Sequence, residues 1–247
     1  ACGPHLSWRE HEGLSGALTG MFAETPGASA AVRVSPGVQP DVSRAALEAA
    51  DVVHAPLGPT VWGATREESD AILARAVELL LAGKILAVKG LGGFHLVCDA
   101  NNPEAVATLR ARKRREGKAF AVMAHTVEDV RRVCQVNDAE RAVLEGAQRP
   151  IVLLKKRAGA TFAAGLADDL LELGVMLPYT PVQHLLLHDF AEAASSPDDG
   201  MPPLLVMTSG NLHDEPIVTD DEEAYEKLFA VADAFLGNDR AIRARYD

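Results

Sequence analysis

From residue 67 onward, short apolar runs of β type alternate with segments of helical period, and that alternation limits the fold more than any other feature of the chain. A strand shows period two and a helix period 3.6, so a chain that switches between them must lay helices on a sheet. Ile72, Ala76, Leu79 and Leu80 recur at helical spacing, and Gly83 supplies the stop. Residues 84–88 then form a β-type run that leads into the glycine-rich Lys89-Gly90-Leu91-Gly92-Gly93-Phe94-His95. Asn102-Pro103 is an N-cap and first-turn pair for a helix that ends in a basic cluster. Residues 119–123 and 151–154 read as buried strands. Between them, Thr126 with Asp129 opens one helix as a capping box, and Asn137 opens another that closes before Pro150. Thr180-Pro181 starts an amphipathic helix with Val182, Leu185, Leu186 and Phe190 on one side. Residues 195–203 form a loop, 204–207 a strand, Thr219 with Glu222 a capping box, and 234–236 a last strand. The expected class is α/β (α+β), a mixed sheet with flanking helices.

Residues 1–66 differ from the rest. They are rich in Ala, Gly, Pro and Val, and Pro36, Pro40, Pro56 and Pro59 interrupt any long element. A short helix at 43–50 and a short strand at 51–54 are the only elements read there. The expected organisation is an N-terminal segment at 1–66 and one domain at 67–247.

The formal net charge of -11 argues against broad attraction to nucleic acid or to an anionic membrane surface. No apolar run approaches the roughly 18 residues that span a bilayer, and no secretory signal is visible. Cys2, Cys98 and Cys134 are too scattered for a disulfide framework, which fits a reducing, cytoplasmic setting. Against this acidic background Arg110, Arg112, Lys113, Arg114, Arg115 and Lys118 lie within nine positions. A compact cationic patch suits a small anion better than a long polyanion. Its ordinary reading is that cations favour a helix C-terminus.

Three motifs could carry chemistry. The glycine run follows a strand, as phosphate loops do, but His95 stands where a G-x-G-x-x-G frame needs glycine, and no Gly-Lys-Ser/Thr follows. Gly92 and Gly93 would let backbone N–H groups approach an anion. Lys113 and Arg115 could reach one anion if the backbone has left the helix there; a continued helix would make them diverge. Ser209-Gly210-Asn211 gathers hydroxyl, N–H and amide groups at a strand end, which binds phosphate or ribose or makes an ordinary turn. No G-x-S-x-G elbow surrounds Ser209. His184 and His188 have metal spacing, but Leu185 stands where a zincin has its Glu, and no metal ligand is assigned.

In combination and order these motifs resemble the YrdC-like domain of the HypF carbamoyltransferases. Lys89 to Leu96 with Cys98-Asp99-Ala100 looks like its opening, and Arg112-Lys113-Arg114-Arg115 with 118–123 looks like its basic motif. Residues 149–154, Leu177-Pro178-Tyr179-Thr180-Pro181, Met207-Thr208-Ser209-Gly210-Asn211, Glu215-Pro216-Ile217 and Asp239-Arg240 complete the series. The resemblance covers residues 67–247. It implies a YrdC/RibB-like fold with a twisted sheet and a concave nucleotide cavity. It implies ATP with Mg²⁺, held by Lys113, Arg115, Thr208, Ser209, Asn211, Arg240 and Arg245, with Lys113, Arg115 and Lys118 as the cations of catalysis. Lys89, Gly92, Gly93 and His95 would line an acid pocket for carbamate, derived from carbamoyl phosphate. The implied activity is formation of carbamoyl-adenylate with release of pyrophosphate. The implied partners are a TsaD-like transferase domain and a HypE-like acceptor in hydrogenase maturation. Relatives of the same superfamily leave other readings open: threonylcarbamoyl-AMP synthase of tRNA modification, antibiotic O-carbamoyltransferase, or an RNA-binding module. Ala1-Cys2-Gly3-Pro4 looks like the tail of a zinc-binding segment. Three features depart from the pattern: residues 9–64 have no counterpart, Glu116 stands where Pro is frequent, and Gln183 where His is frequent.

Overall fold

The computed structural model describes residues 5–14, 55–115, 117–194, 201–212 and 215–245. The helix expected at 43–50, the strand expected at 51–54 and Cys2 lie outside them. Among the described residues there are nine strands and six helices. In chain order they are β1 (Leu6–Glu10), β2 (Val61–Gly63), α1 (Arg66–Leu81), β3 (Leu86–Lys89), β4 (Phe94–Asp99), α2 (Pro103–Lys113), β5 (Val122–Ala124), α3 (Val127–Val133), α4 (Asp138–Glu145), β6 (Val152–Lys155), β7 (Glu172–Met176), α5 (Pro181–Ala194), β8 (Leu204–Ser209), α6 (Asp221–Lys227) and β9 (Ala234–Asn238).

The strands form one mixed sheet in the order β2-β1-β9-β3-β4-β8-β5-β7-β6. The pairs β3–β9 and β5–β7 are parallel, and the rest are antiparallel. Period-two alternation sends successive side chains into two separate cores. Ile85, Ala87, Phe94, Leu96 and Val206 pack with Ala105, Val106 and Leu109 of α2, Val130 of α3, Leu144 of α4 and Ala224 of α6. Leu86, Val88, Val97, Leu205 and Met207 pack with Ile72 and Leu80 of α1 and Leu186 and Phe190 of α5. The central strands are therefore covered on both faces.

Local sequence accounts for most helix starts. Thr65 with Glu68, Thr126 with Asp129 and Asn137 with Glu140 each make reciprocal capping boxes. Asn102 Oδ1 accepts from the N–H groups of Glu104 and Ala105, with Pro103 in the first turn. Two expectations shift. The cap of α6 is Asp220, bonded to the Glu223 N–H, one position beyond the expected Thr219–Glu222 box. In α5 the inward residue is Gln183, 1% exposed, while Leu185 is 49% exposed.

The sheet also continues N-terminal to residue 67. β1 pairs with β9 from Leu6↔Asn238 to Glu10↔Ala234, and Trp8 is buried beneath it. Glu10 and Arg75 of α1 form a buried ion pair at 3.1 Å. No described helix is long and apolar enough to cross a membrane.

Candidate functional site at one edge of the sheet

Strand directions alone bring the motifs to one place. β9 runs parallel to β3, and β4 runs antiparallel to both β3 and β8. β5 runs antiparallel to β8. The C-terminal ends of β3, β8 and β9 therefore share an edge with the N-terminal ends of β4 and β5. The glycine turn, the basic loop before β5, the Ser209 loop and the chain after β9 all emerge there. Ligands of sheet proteins commonly bind where strand ends open a crevice of this kind.

The centre of this edge is Lys113. Its helix ends there because Arg114 adopts a left-handed conformation, φ 51°, and caps α2. The Lys113 side chain is 4% exposed. Its Nζ donates to Ser209 O at 2.6 Å, Asn211 O at 2.7 Å and Asn211 Oδ1 at 2.7 Å. Ser209 Oγ donates to the same Asn211 Oδ1 at 2.8 Å, and Asn211 Nδ2 donates to Glu215 O at 2.6 Å. Two motifs some hundred positions apart thus meet in one hydrogen-bonded node. Gly210 lets the loop close: a Cβ there would lie 2.5 Å from Phe94 O, the acceptor of the Gly210 N–H.

The rest of the basic run divides its work. The Arg115 guanidinium donates to Ala119 O at 2.9 Å and lies over the Phe120 ring. Arg110 covers the same ring and donates to Arg115 O at 2.6 Å, to Lys118 O and to Gly165 O. These contacts hold the loop that enters β5. Arg112 turns the other way, to Val231 O and Asp233. Lys118, Arg240 and Arg245 are exposed. Thr208 is buried, opposite Leu96 in the β4–β8 ladder.

The residues expected in the acid pocket are split by the sheet. Lys89 lies opposite Phe94 and faces α6, where its Nζ sits 2.7 Å from Asp221 and 3.0 Å from Asn238 O. His95, the next position along β4, faces the opposite side and stands in register with Ser209. Gly92 and Gly93 are buried in the turn that the Gly90 N–H closes on Gly93 O. Sequence reasoning assigned no role to Tyr179, whose hydroxyl lies 2.8 Å from His95 Nε2. The Pro178-Tyr179-Thr180-Pro181 loop was legible as a motif, but the contact joins positions 84 residues apart.

His184 and His188 are exposed on α5. Burial, with Arg149 and His125 nearby, lowers the His184 pKa. Among the described residues no group of three or more His, Cys, Asp or Glu could hold a metal ion. A depression of about 740 Å³ lies between Gln135, Asn137, Glu140, Lys155 and Arg157, and one of about 480 Å³ lies between Arg9, Leu57, Tyr225 and Phe229. Neither includes the Lys113 node. The convergence of strand ends is what marks the candidate site.

Fold and edge together define an α/β module of Sua5/YrdC type. The Sua5/yciO/yrdC family, described as telomere recombination, matches residues 78–247, and the chain belongs to it. Within it the chain is similar to HypF carbamoyltransferases. It is 51% identical over 195 residues to carbamoyltransferase HypF of Rhodobacter capsulatus, covering 77% of this chain and 24% of that protein. It is 49% identical over 188 residues to carbamoyltransferase HypF2 of Cupriavidus necator, covering 73% and 23%. A full-length HypF solved in a phosphate- and nucleotide-bound form superposes with a TM-score of 0.64 at 49% identity, over 71% of this chain and 22% of that one. The chain spans about a quarter of the length of these relatives.

Proposed function

We propose that this module binds MgATP at the Lys113 edge and activates carbamate as carbamoyl-adenylate, as one step of carbamoyl transfer in nickel–iron hydrogenase maturation. The observation that carries the reading is the node in which Lys113 joins Ser209 and Asn211. It sets a buried cation against a hydroxyl and an amide at an edge that also collects Arg115, Lys118, Arg240 and Arg245. The identity to HypF proteins, one of them solved with nucleotide and phosphate, supports the same choice.

In this reading a carbamate oxygen attacks the α-phosphorus of ATP. The new Pα–O bond forms as the bond to the bridging oxygen breaks, and pyrophosphate leaves with that electron pair. The attacking oxygen is already anionic, so no general base is needed. Charge grows on the phosphoryl and pyrophosphate oxygens, and fixed cations lower that cost. Lys113, Arg115 and Lys118 supply them, and Arg240 and Arg245 reach the triphosphate from beyond β9. Thr208, Ser209 and Asn211 orient the α-phosphate or ribose. Gly92, Gly93 and His95 line the acid end, and Lys89 anchors their turn through Asp221. Mg²⁺ enters on the triphosphate as part of the substrate. Carbamate decomposes in water, so a concave, closed site at this edge is a chemical requirement. The carbamate derives from carbamoyl phosphate by hydrolysis, in which water attacks the carbonyl carbon, the bond to the phosphate oxygen breaks and inorganic phosphate leaves; a TsaD-like transferase domain then passes the carbamoyl group to a HypE-like acceptor in the cytoplasm.

The test is carbamate-dependent exchange of labelled pyrophosphate into ATP, with carbamate supplied by ammonium bicarbonate. Wild type should exchange label. A Lys113→Ala/Arg115→Ala chain that retains its circular dichroism should not, and full exchange in it refutes the assignment. A requirement for threonine would move the chain to the threonylcarbamoyl-adenylate reaction. Salt-sensitive tRNA binding that ATP does not displace would support an RNA module instead.

A further inference from the structure

The acid end of the proposed site contains a side-chain pair that neither the basic run nor the Ser209 loop explains. Tyr179 Oη lies 2.8 Å from His95 Nε2, and the two rings meet edge to face with centroids 6.3 Å apart. His95 stands directly opposite Ser209 in the β4–β8 ladder. Its neighbour on the same face, Val97, belongs to the core beneath α1 and α5. The imidazole therefore sits on the α5 side, one strand away from the Ser209 hydroxyl.

The ring is confined from two further directions. A Cβ on Gly90 would lie 2.9 Å from both Cδ2 and Nε2 of His95, so the glycine turn leaves only enough room for the ring. Tyr179 is itself held from behind. Its N–H donates to Gln183 Oε1 at 3.1 Å, and that oxygen also accepts the Thr180 N–H at 3.1 Å. Thr180 Oγ1 in turn accepts the Gln183 N–H at 3.1 Å. Gln183 and Thr180 are buried. A rigid train thus runs from the first turn of α5 through the phenol to the imidazole.

Packing alone does not call for this train, because His95 and Tyr179 are both half-buried at the open edge. A hydrogen bond to one ring nitrogen does something packing cannot. It fixes which ring edge is presented, and the phenol can do so as donor or as acceptor. We propose that Tyr179 is a positioning residue, holding the His95 imidazole beside Ser209 in the single orientation that contacts the carbamate-type acid. This inference rests on the proposed adenylation, with Tyr179 acting through His95 and His95 touching the acid.

The test uses the 247-residue chain with Tyr179→Phe, His95→Ala and the double substitution. In pyrophosphate exchange, Tyr179→Phe should raise the KM for carbamate, supplied as ammonium bicarbonate, about tenfold, the scale of one lost hydrogen bond. The KM for ATP should not move. In the His95→Ala background the same substitution should cost nothing further, because its route is gone. Ring-nitrogen NMR should show the shift of a hydrogen-bonded His95 Nε2 in wild type and its loss in Tyr179→Phe. An equal cost in both backgrounds, a parallel rise in both KM values, or unchanged ring-nitrogen spectra overturns the inference. A wild-type chain with no acid-dependent exchange defeats the proposed function and the acid contact together, which sets that failure apart from the others.

Discussion

Lys113 shows how much one side chain can organise. An ammonium has three N–H donors, and three acceptors lie within 2.7 Å of this one. Replacing it with Ala removes all three bonds from the node, leaving Asn211 Oδ1 to Ser209 Oγ and Ser209 O to the Asn211 N–H. Lys113→Ala should lower the unfolding free energy by about 3 kcal/mol, read from urea denaturation. It should also abolish any nucleotide-dependent thermal shift. Lys113→Arg should not restore the shift, since a planar fork cannot match three acceptors set around a point. The thiols give a second prediction at this scale. Burial pushes the Cys98 thiol far up, and it pushes Cys134 up to about 11, with Lys156 and Arg157 pulling the other way. Both remain protonated in the folded chain while unfolded thiols begin to ionise near 9. Their contribution to stability is complete below that value and is lost as pH rises towards the folded values. Cys98 and Cys134 should resist thiol labelling at pH 8 until the chain unfolds, and stability should fall as pH climbs from about 9 to about 11.

Elements set where such side chains can meet. The turn after β8 is held by three backbone links: Gly210 N–H to Phe94 O, Phe94 N–H to Val218 O, and Val218 N–H to Gly210 O. A methyl group on Gly210 would meet the Phe94 carbonyl, which is backbone and cannot swing aside. Gly210→Ala should therefore cost more than about 2 kcal/mol and displace Asn211 from Lys113, visible as loss of ATP binding by calorimetry. Helices were the most legible elements, because Asn102, Thr126 and Asn137 act on backbone within three positions of themselves. Strands were less so. β1, β4 and β7 carry polar or small residues, such as Arg9, His95 and Gly174, that blur a short apolar run. Each is a strand because of its neighbours in the sheet.

At the scale of the molecule, residues before 67 belong to the same sheet as the proposed site. β1 covers β9, and Glu10 neutralises the buried Arg75. All residues proposed to handle ATP and acid lie in 67–247, whereas the sheet itself runs across the boundary expected at 66/67. A chain lacking residues 1–66 would expose the edge of β9 and take Glu10 from Arg75, which would keep only Glu78 as its carboxylate partner. Its melting temperature in calorimetry should fall by about 10 °C against the full chain, and its solubility should drop.

The order of the motifs and the kind of side chain each one offers were legible in the sequence alone. A glycine turn after a strand, a basic helix end and a Ser-Gly-Asn turn are short patterns that act on nearby backbone, and together with their family resemblance they located the residues now seen along one edge. The tertiary structure alone decided which side chains meet. Lys113 grips Ser209 and Asn211, Lys89 turns to Asp221, and His95 turns to Tyr179. The reason is physical: adjacent positions on a strand face opposite sides of a sheet, and the partners across it come from distant parts of the chain whose approach depends on strand order.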